Sequence, residues 1–259
     1  MKTYPDACSH LLEQFYMDDY IGGAHNLDAA AHIASNLRDV LLSAGMELRK
    51  WSSSCMQFIA DIPPSDRETS DQLFFGERGA IKTLGMWWQP QPDVFRFRIK
   101  LNEIPETSTK REILSMIARI FDPLGWLSPM VVYLKIFMKR LWSTGIGWDD
   151  PIPQGLPADW NAFRNGSDDL SEVSICRWMQ LVDDSNVELH VFADSSKLAY
   201  GAVVYMRVID NQDNIHISLV ASKTRIAPFK AMLSIPRLEL CAALLAAQLV
   251  ERKIIGEPL

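Results

Sequence analysis

The last quarter of the 259-residue chain carries the pattern that most constrains its fold. Three strand-like runs, at residues 187–193, 202–208 and 215–222, precede one long apolar helical pattern at residues 236–252. Three strands followed by a helix predict a terminal domain of the α+β or α/β class.

The first ninety residues also mix strand and helix signals. We predict strands at residues 11–16 and 20–22 around a tight turn at Asp18-Asp19, because aspartate is a favoured turn residue. Asn26 or Asp28 is then expected to cap a helix that spans residues 28–44 and ends at Gly45. Three short strand-like runs follow, at residues 46–51, 55–59 and 83–88. A polar loop at residues 63–69 lies between the second and the third.

The middle of the chain predicts a compact helical unit. A capping box at Thr109 begins one helix, and a turn at Asp122-Pro-Leu-Gly separates it from a second. Ser128 is expected to cap that second helix, which runs to about residue 142. Residues 147–165, rich in Pro, Gly, Trp and Asp, are interpreted as a connector.

Composition narrows the class of protein. The chain is 48% hydrophobic and 22% charged, as expected for a globular protein with ample core material. It holds no apolar run of 18 residues, so no membrane span is expected. Four widely spaced cysteines without a CxxC pair indicate reduced thiols in an intracellular protein, and cytoplasm and nucleus both remain open.

Charge is distributed unevenly along the chain. Residues 94–145 carry a net charge of +5, whereas the stretches before and after them are acidic. The cationic stretch could face a polyanion, although ordinary solvated helix faces would give the same pattern.

Asp18 and Asp19 are the first candidates for chemistry. Clustered carboxylates on a rigid hairpin can hold the divalent ions that nucleotidyl transfer requires. The alternative is a simple hairpin turn.

A family resemblance supports the chemical interpretation. Residues 12–23 (LEQFYMDDYIGG) resemble the Tyr-x-Asp-Asp motif of reverse transcriptases, and residues 82–88 (KTLGMWW) are similar to the strand that leads into their primer grip. Residues 109–115 (TKREILS) and 121–129 (FDPLGWLSP) resemble the thumb of BEL/Pao retrotransposons, a stretch often filed under the name Pao retrotransposon peptidase.

The terminal pattern resembles ribonuclease H. Residues 190–205 (HVFADSSKLAYGAVVY) are similar to its opening hairpin, and residues 236–248 to its first helix. This resemblance implies that Asp194 and Glu239 bind catalytic metal, with their carboxylates within about 8 Å of each other. Judged without the resemblance, Glu239 could equally be a first-turn glutamate that the helix dipole stabilises.

The resemblance implies a multi-domain α+β or α/β piece of a retrotransposon Pol polyprotein. We expect the end of a palm at residues 1–92, a thumb at 93–146, a connection at 147–186 and a truncated ribonuclease H-like domain at 187–259. The parent would perform RNA-directed DNA polymerisation and cleave RNA/DNA hybrids. Its expected catalytic and metal-binding residues are Asp18, Asp19, Asp194 and Glu239.

The expected cofactor is Mg²⁺ or Mn²⁺. The expected partners are primer-template, RNA/DNA hybrid and the remaining Pol segments. Each acidic site holds only part of the carboxylate set that the family uses, so the isolated chain is expected to be inactive.

Further residues are predicted to contact nucleic acid. Trp87 and Trp88 could stack on a primer terminus or be buried. Six cations could track phosphates or lie on solvated helix faces. They are Lys110, Arg111, Arg119, Lys135, Lys139 and Arg140.

The sequence also allows two alternative functions. A degenerate or domesticated element could persist as a nucleic-acid-binding or protein-binding module. An aspartic peptidase is the weaker alternative, because the sequence contains neither Asp-Thr-Gly nor Asp-Ser-Gly.

Overall fold

The computed structural model describes residues 5–68, 80–83, 85–98, 109–153, 156–165, 170, 172–182, 185–228 and 233–254. The chain divides into two compact units, residues 1–83 with 87–94, and residues 84–86 with 95–259. Each unit contains both helices and strands, so the mixed α and β class is confirmed.

The first unit begins with a helix followed by a hairpin and two more helices. These elements are α1 (Pro5–Glu13), β1 (Phe15–Tyr16), β2 (Asp19–Tyr20), α2 (Leu27–Ser43) and α3 (Met56–Ala60). Helix α1 contacts both β1 and α2. The side chain of Asn26 accepts a hydrogen bond from the N–H of Ala29, so Asn26 is the cap of α2. Gly45 follows α2 with a φ of +77°, which confirms the predicted end of that helix.

Two predicted strands in this unit are wrong, and a third, predicted at residues 11–16, is confirmed only at β1 (Phe15–Tyr16). Residues 11–13 belong to α1, where Cys8, Leu11 and Leu12 follow the helical spacing i, i+3, i+4. Residues 55–59 fall mostly in α3, because a short apolar run does not distinguish a helix from a strand. Residues 46–51 form no strand, and Trp51 makes only an isolated bridge to Arg67.

The predicted strand at residues 83–88 is split in two. Strand β3 (Ile81–Thr83) ends before β4 (Met86–Gln89) begins, and β5 (Val94–Arg96) follows. Gly85 has a φ of +81°, a conformation that interrupts an extended strand.

The second unit contains the predicted pair of helices, α4 (Lys110–Ala118) and α5 (Ser128–Ser143). The capping box at Thr109 is confirmed, with both reciprocal hydrogen bonds present. Ser128, in contrast, is the first residue of α5 and not its cap. The carboxylate of Asp122 accepts the N–H groups of Trp126 and Leu127, at 2.8 and 2.9 Å. The partly buried Asp122 thus fixes the turn before α5, whose cap residue, Leu127, makes no side-chain capping bond.

The predicted connector contains a helix. Residues 156–165 form α6 (Leu156–Asn165), which is followed by β6 (Ser174–Cys176). Trp160 of α6 is 1% exposed and stacks on Phe137 of α5 with ring centroids 5.4 Å apart. Packing of this ring against α5 stabilises the short helix that carries it.

The terminal pattern of three strands and a helix is confirmed. Strands β7 (Asn186–Ser195), β8 (Ala199–Ile209) and β9 (Ile215–Ile226) form an antiparallel sheet in the order β7-β8-β9. Helix α7 (Ile235–Ile254) contacts all three strands. The core between helix and sheet is made of six buried residues. They are Ala202, Val204, Ala221, Leu245, Ala246 and Leu249.

A second core joins α4, α5 and α6 to the outer edge of β9. Leu219 of β9 packs against the cluster that contains Trp126 and Trp160. The indole N–H of Trp126 donates to the carbonyl of Val220 at 3.1 Å. Val220 lies at a register shift where it has no partner on β8, so its carbonyl is free to accept this bond.

Candidate functional site

Asp18 and Asp19 lie at an exposed hairpin tip, as predicted. Asp18 occupies the two-residue turn with Met17, whose φ is +55°, and Asp19 begins β2 opposite Tyr16. Both carboxylates are exposed. The position suits contact with an external ligand, while a role in holding metal remains a prediction.

Asp194 lies near the end of β7, where its register partner on β8 is Gly201. Gly201 in turn faces Thr224 of β9, and a Cβ at position 201 would lie 3.1 Å from the Thr224 methyl group. This close approach of the strands explains a glycine beside Asp194. The long ladder fixes the backbone of Asp194, whereas only two residue pairs join β1 to β2.

Glu239 is the fifth residue of α7 and is half-buried. No acidic residue lies in the first turn of α7, so stabilisation of Glu239 by the helix dipole does not explain its position. The Oγ of Ser195 donates a hydrogen bond of 2.8 Å to Oε1 of Glu239.

Ser195 also connects to the neighbouring aspartate. Its backbone N–H donates to Oδ1 of Asp194 at 2.8 Å. Ser195 therefore bridges the carboxylates of Asp194 and Glu239 through two hydrogen bonds. With standard covalent geometry, this bridge limits the distance between Oδ1 of Asp194 and Oε1 of Glu239 to about 9 Å. The sequence patterns predict both acids but not this serine, whose place directly after Asp194 is the available signal.

The chemistry of this pair suits a hard divalent cation. Mg²⁺ and Mn²⁺ prefer carboxylate oxygens, and Mg²⁺ is commonly bound through one or two carboxylates with water completing its shell. Within the part of the chain that the structure describes, no group of three or more His, Cys, Asp or Glu side chains comes together. The residues present therefore fit one ion better than two.

A further acidic residue, Glu188, lies on the same strand. Glu188 lies on the same side of β7 as Asp194, because side chains alternate along a strand. The hydrogen bond from His190 and the charge of Arg207 lower the pKa of Glu188, so this carboxylate is ionised at neutral pH. Glu188 pairs with Arg207 at 3.1 Å and lies six residues, about 20 Å, along the strand from Asp194, so it adds no net charge at the site.

Most of the six predicted phosphate-binding cations have protein partners. Lys110 donates to the carbonyl of Ile146 at 2.6 Å, and Arg111 makes a bidentate pair with Asp149 at 2.8 and 3.0 Å. Arg119, just after α4, and Arg140, in the last turn of α5, are exposed.

Lys135 and Lys139 point at the sheet. Their Nζ atoms donate to the carbonyls of Thr224 and Ala227, at 3.3 and 2.9 Å. Burial is the main cause that lowers the pKa of Lys135, and the charge of Lys223 adds to it. These bonds give both lysines a structural role, and phosphate contact by the set remains a prediction.

Trp87 and Trp88 lie in β4 and are half-buried. The indole N–H of Trp88 donates to the carboxylate of Asp93 at 2.9 Å. Stacking of either ring on a primer terminus remains a prediction.

No helix within the described residues is long and apolar enough to cross a membrane.

Comparison with known proteins assigns the second unit. The search of curated proteins gives no match. A family model described as the Pao retrotransposon-like RNaseH-like domain matches residues 109–255, which is more than half of the chain.

The matched region begins at the capping residue of α4 and ends after α7. It thus contains α4 to α6 together with the terminal sheet, and its description is of an RNaseH-like domain instead of a peptidase. The resemblance to a Pao-type retrotransposon Pol protein is confirmed, and the chain belongs to the Pao retrotransposon-like RNaseH-like domain family.

Proposed function

We propose that the second unit is a ribonuclease H-type domain of a retrotransposon Pol protein, which cleaves the RNA strand of an RNA/DNA hybrid. The observation that carries the proposal is the pair Asp194 and Glu239, joined through Ser195 at one end of a sheet in the family region. A carboxylate pair of this kind is the type of ligand that metal-dependent phosphodiester hydrolysis uses.

In this proposal Asp194 and Glu239 hold a divalent cation, Mg²⁺ or Mn²⁺. When bound, such an ion lowers the pKa of a coordinated water and stabilises negative charge on phosphate oxygens. The ladder of β7 and β8 fixes the position of Asp194, and α7 carries Glu239 to it. The exposed side chain of Asp194 leaves room for a phosphodiester to approach.

Binding of hybrid and of Mn²⁺ by the purified chain tests the proposal. We expect the chain to bind a labelled RNA/DNA hybrid more tightly when Mn²⁺ is present, because a cation held by Asp194 and Glu239 would offset the repulsion between these carboxylates and the phosphates. Asp194→Asn and Glu239→Gln should abolish this gain. Asp213→Asn is the matched control, since Asp213 is an exposed aspartate in the turn between β8 and β9.

Cleavage of the hybrid is a separate measurement. The pair fits one ion, and loss of the second ion of a two-metal mechanism costs orders of magnitude in rate. We therefore expect cleavage by the isolated chain to be near the detection limit. Cleavage that the Asp194→Asn, Glu239→Gln double variant lacks would support the function and show that the pair is sufficient.

Hybrid binding that Mn²⁺ does not change would favour the second candidate function, a nucleic-acid-binding module that has lost its catalysis. The observation that favours this candidate is the lack of a cluster of three or more potential ligands within the described residues. In that case Asp194→Asn should leave hybrid affinity unchanged.

We also propose that the first unit is the end of a reverse-transcriptase palm, with the thumb following it. The exposed tip that carries Asp18 and Asp19 supports this assignment. In the complete Pol protein, Asp18→Asn should abolish primer extension, whereas Asp28→Asn, on the exposed surface of α2, should retain it.

A further inference from the structure

Two consecutive serines follow Asp194, and the structure gives them different partners. The hydroxyl of Ser195 donates to Glu239 on α7, a residue 44 positions away. The hydroxyl of Ser196 donates to the carbonyl of Ala199 at 3.1 Å and accepts the N–H groups of Leu198 and Ala199. Ser196 therefore stabilises the local turn, whereas Ser195 connects the end of the strand to the helix.

We propose that Ser195 is a positioning residue for the divalent cation site, which holds the carboxylate of Glu239 in place beside Asp194. This inference rests on the proposed function. A glutamate side chain has three rotatable bonds, and a serine that donates to one of its oxygens restricts them. A carboxylate has two oxygens, so the second remains available to a cation.

The bond has the features of an effective support. A hydroxyl that donates to a charged carboxylate forms a stronger bond than one that joins neutral groups. The bond is partly buried, which reduces competition from water. The same residue donates its backbone N–H to Asp194, so one short segment sets the positions of both carboxylates.

Residues that support metal ligands in this way change metal affinity strongly when they are replaced. Their loss typically weakens binding about 10-fold to 100-fold. For a partly exposed serine we expect the lower end of this range. Ser195→Ala should therefore raise the dissociation constant for Mn²⁺ about tenfold.

The experiment is calorimetric titration of the full chain with MnCl₂, without nucleic acid. Ser195→Thr keeps the hydroxyl and should bind Mn²⁺ nearly as the wild type does. Ser195→Val has the shape of the threonine variant but no hydroxyl, so it should lose affinity as the alanine variant does. This pair keeps the test valid if Ser195→Ala fails to fold, because both residues suit a strand.

Ser196→Ala is the matched control. It should lower the melting temperature through the turn and leave Mn²⁺ affinity unchanged. In a Glu239→Gln background, Ser195→Ala should cause no further loss, since its effect acts through Glu239.

Three outcomes would overturn the inference. Ser195→Ala or Ser195→Val could bind Mn²⁺ as tightly as the wild type, or Ser196→Ala could weaken binding equally, which would indicate distortion of the hairpin. Loss of affinity that persists in the Glu239→Gln background would also exclude action through Glu239. Binding that neither Asp194→Asn nor Glu239→Gln affects would overturn the proposed function itself.

Discussion

The two edges of the terminal sheet differ in how they are covered. Along β9 and at the residue after it, the carbonyls of Val220, Thr224 and Ala227 accept side-chain donors from Trp126, Lys135 and Lys139. A backbone hydrogen bond also covers this edge, because the N–H of Ser222 donates to the carbonyl of Leu124 at 2.8 Å. Along β7, nine of ten residues are exposed. An edge strand presents unpaired polar groups, and in this sheet the helical region satisfies them on one side.

This difference indicates how the second unit is organised. The helices α4 and α5, predicted as a thumb, lie in the same compact unit as the sheet and pack on its β9 edge. The family match likewise covers both without interruption. The helices that cover β9 therefore belong to the second unit. Disrupting their contact with β9 should destabilise the sheet more than any change at β7.

The largest expected effect comes from Trp160, in the core beneath the β9 edge. Replacing this buried ring by alanine should cost about 3–5 kcal/mol of unfolding free energy, from lost burial and the cavity left behind. Hydrogen exchange should show faster exchange in α5 and β9 but not in α2. Trp160→Phe is the control, because it keeps an aromatic ring against Phe137. A loss below 1 kcal/mol for Trp160→Ala would contradict this core.

Gly125 gives the next largest effect. Its φ is +72°, and a Cβ there would collide with the backbone of Ser222 on β9. Left-handed strain and overpacking together should make Gly125→Ala cost about 3 kcal/mol in urea unfolding.

Gly145 provides a matched control for this position. It has the same φ of +72°, but a Cβ would meet nothing within 4 Å. Gly145→Ala should therefore show the strain alone, about 1 kcal/mol. Equal costs for the two variants would mean that the loop at Gly125 does not approach β9 as described.

The contrast between edge and centre can be measured with one substitution at two paired positions. Val204 of β8 is 1% exposed, and its partner Val191 on β7 is 37% exposed. Val204→Thr buries a hydroxyl and should cost about 1–3 kcal/mol. Val191→Thr should change stability by less than about 0.5 kcal/mol, because water still reaches its side chain. A large loss at Val191 would indicate that this edge is covered in solution.

Sequence alone predicted the long, regular elements well. Strands β7 to β9, α2, α4 and α7 all follow from hydrophobic period, and Asn26 and Thr109 mark helix starts through local capping. Short runs failed, as at residues 11–13, where strand and helix patterns look alike over so few positions.

Contacts between distant residues were outside the reach of sequence patterns. Lys135 and Lys139 bond to carbonyls almost 90 residues away, and a lysine with such a partner looks in sequence like any lysine on a helix. The link from Ser195 to Glu239 was missed for the same reason. The two acids themselves were predicted through the resemblance of the hairpin and the helix to ribonuclease H.

The smallest expected effect concerns pH, at the aspartate that supports the covered edge. Burial raises the pKa of Asp122 above its ordinary value, although three backbone N–H groups oppose the shift. The folded chain thus binds this proton more tightly than the unfolded chain does. The stabilisation is present at low pH and is lost as pH rises from the ordinary pKa through the raised one. Because Asp122 is only partly buried, we expect a change of about 0.5 kcal/mol in the free energy of unfolding.

Urea unfolding between pH 3.5 and 6 should show wild-type stability falling relative to Asp122→Asn as pH rises. Asp210 supplies a comparison of opposite sign, since hydrogen bonds from Asn214 lower its pKa and its contribution is lost as pH falls. A wild type that gained stability over Asp122→Asn as pH rose would show that the bonds to Trp126 and Leu127 outweigh burial at this turn.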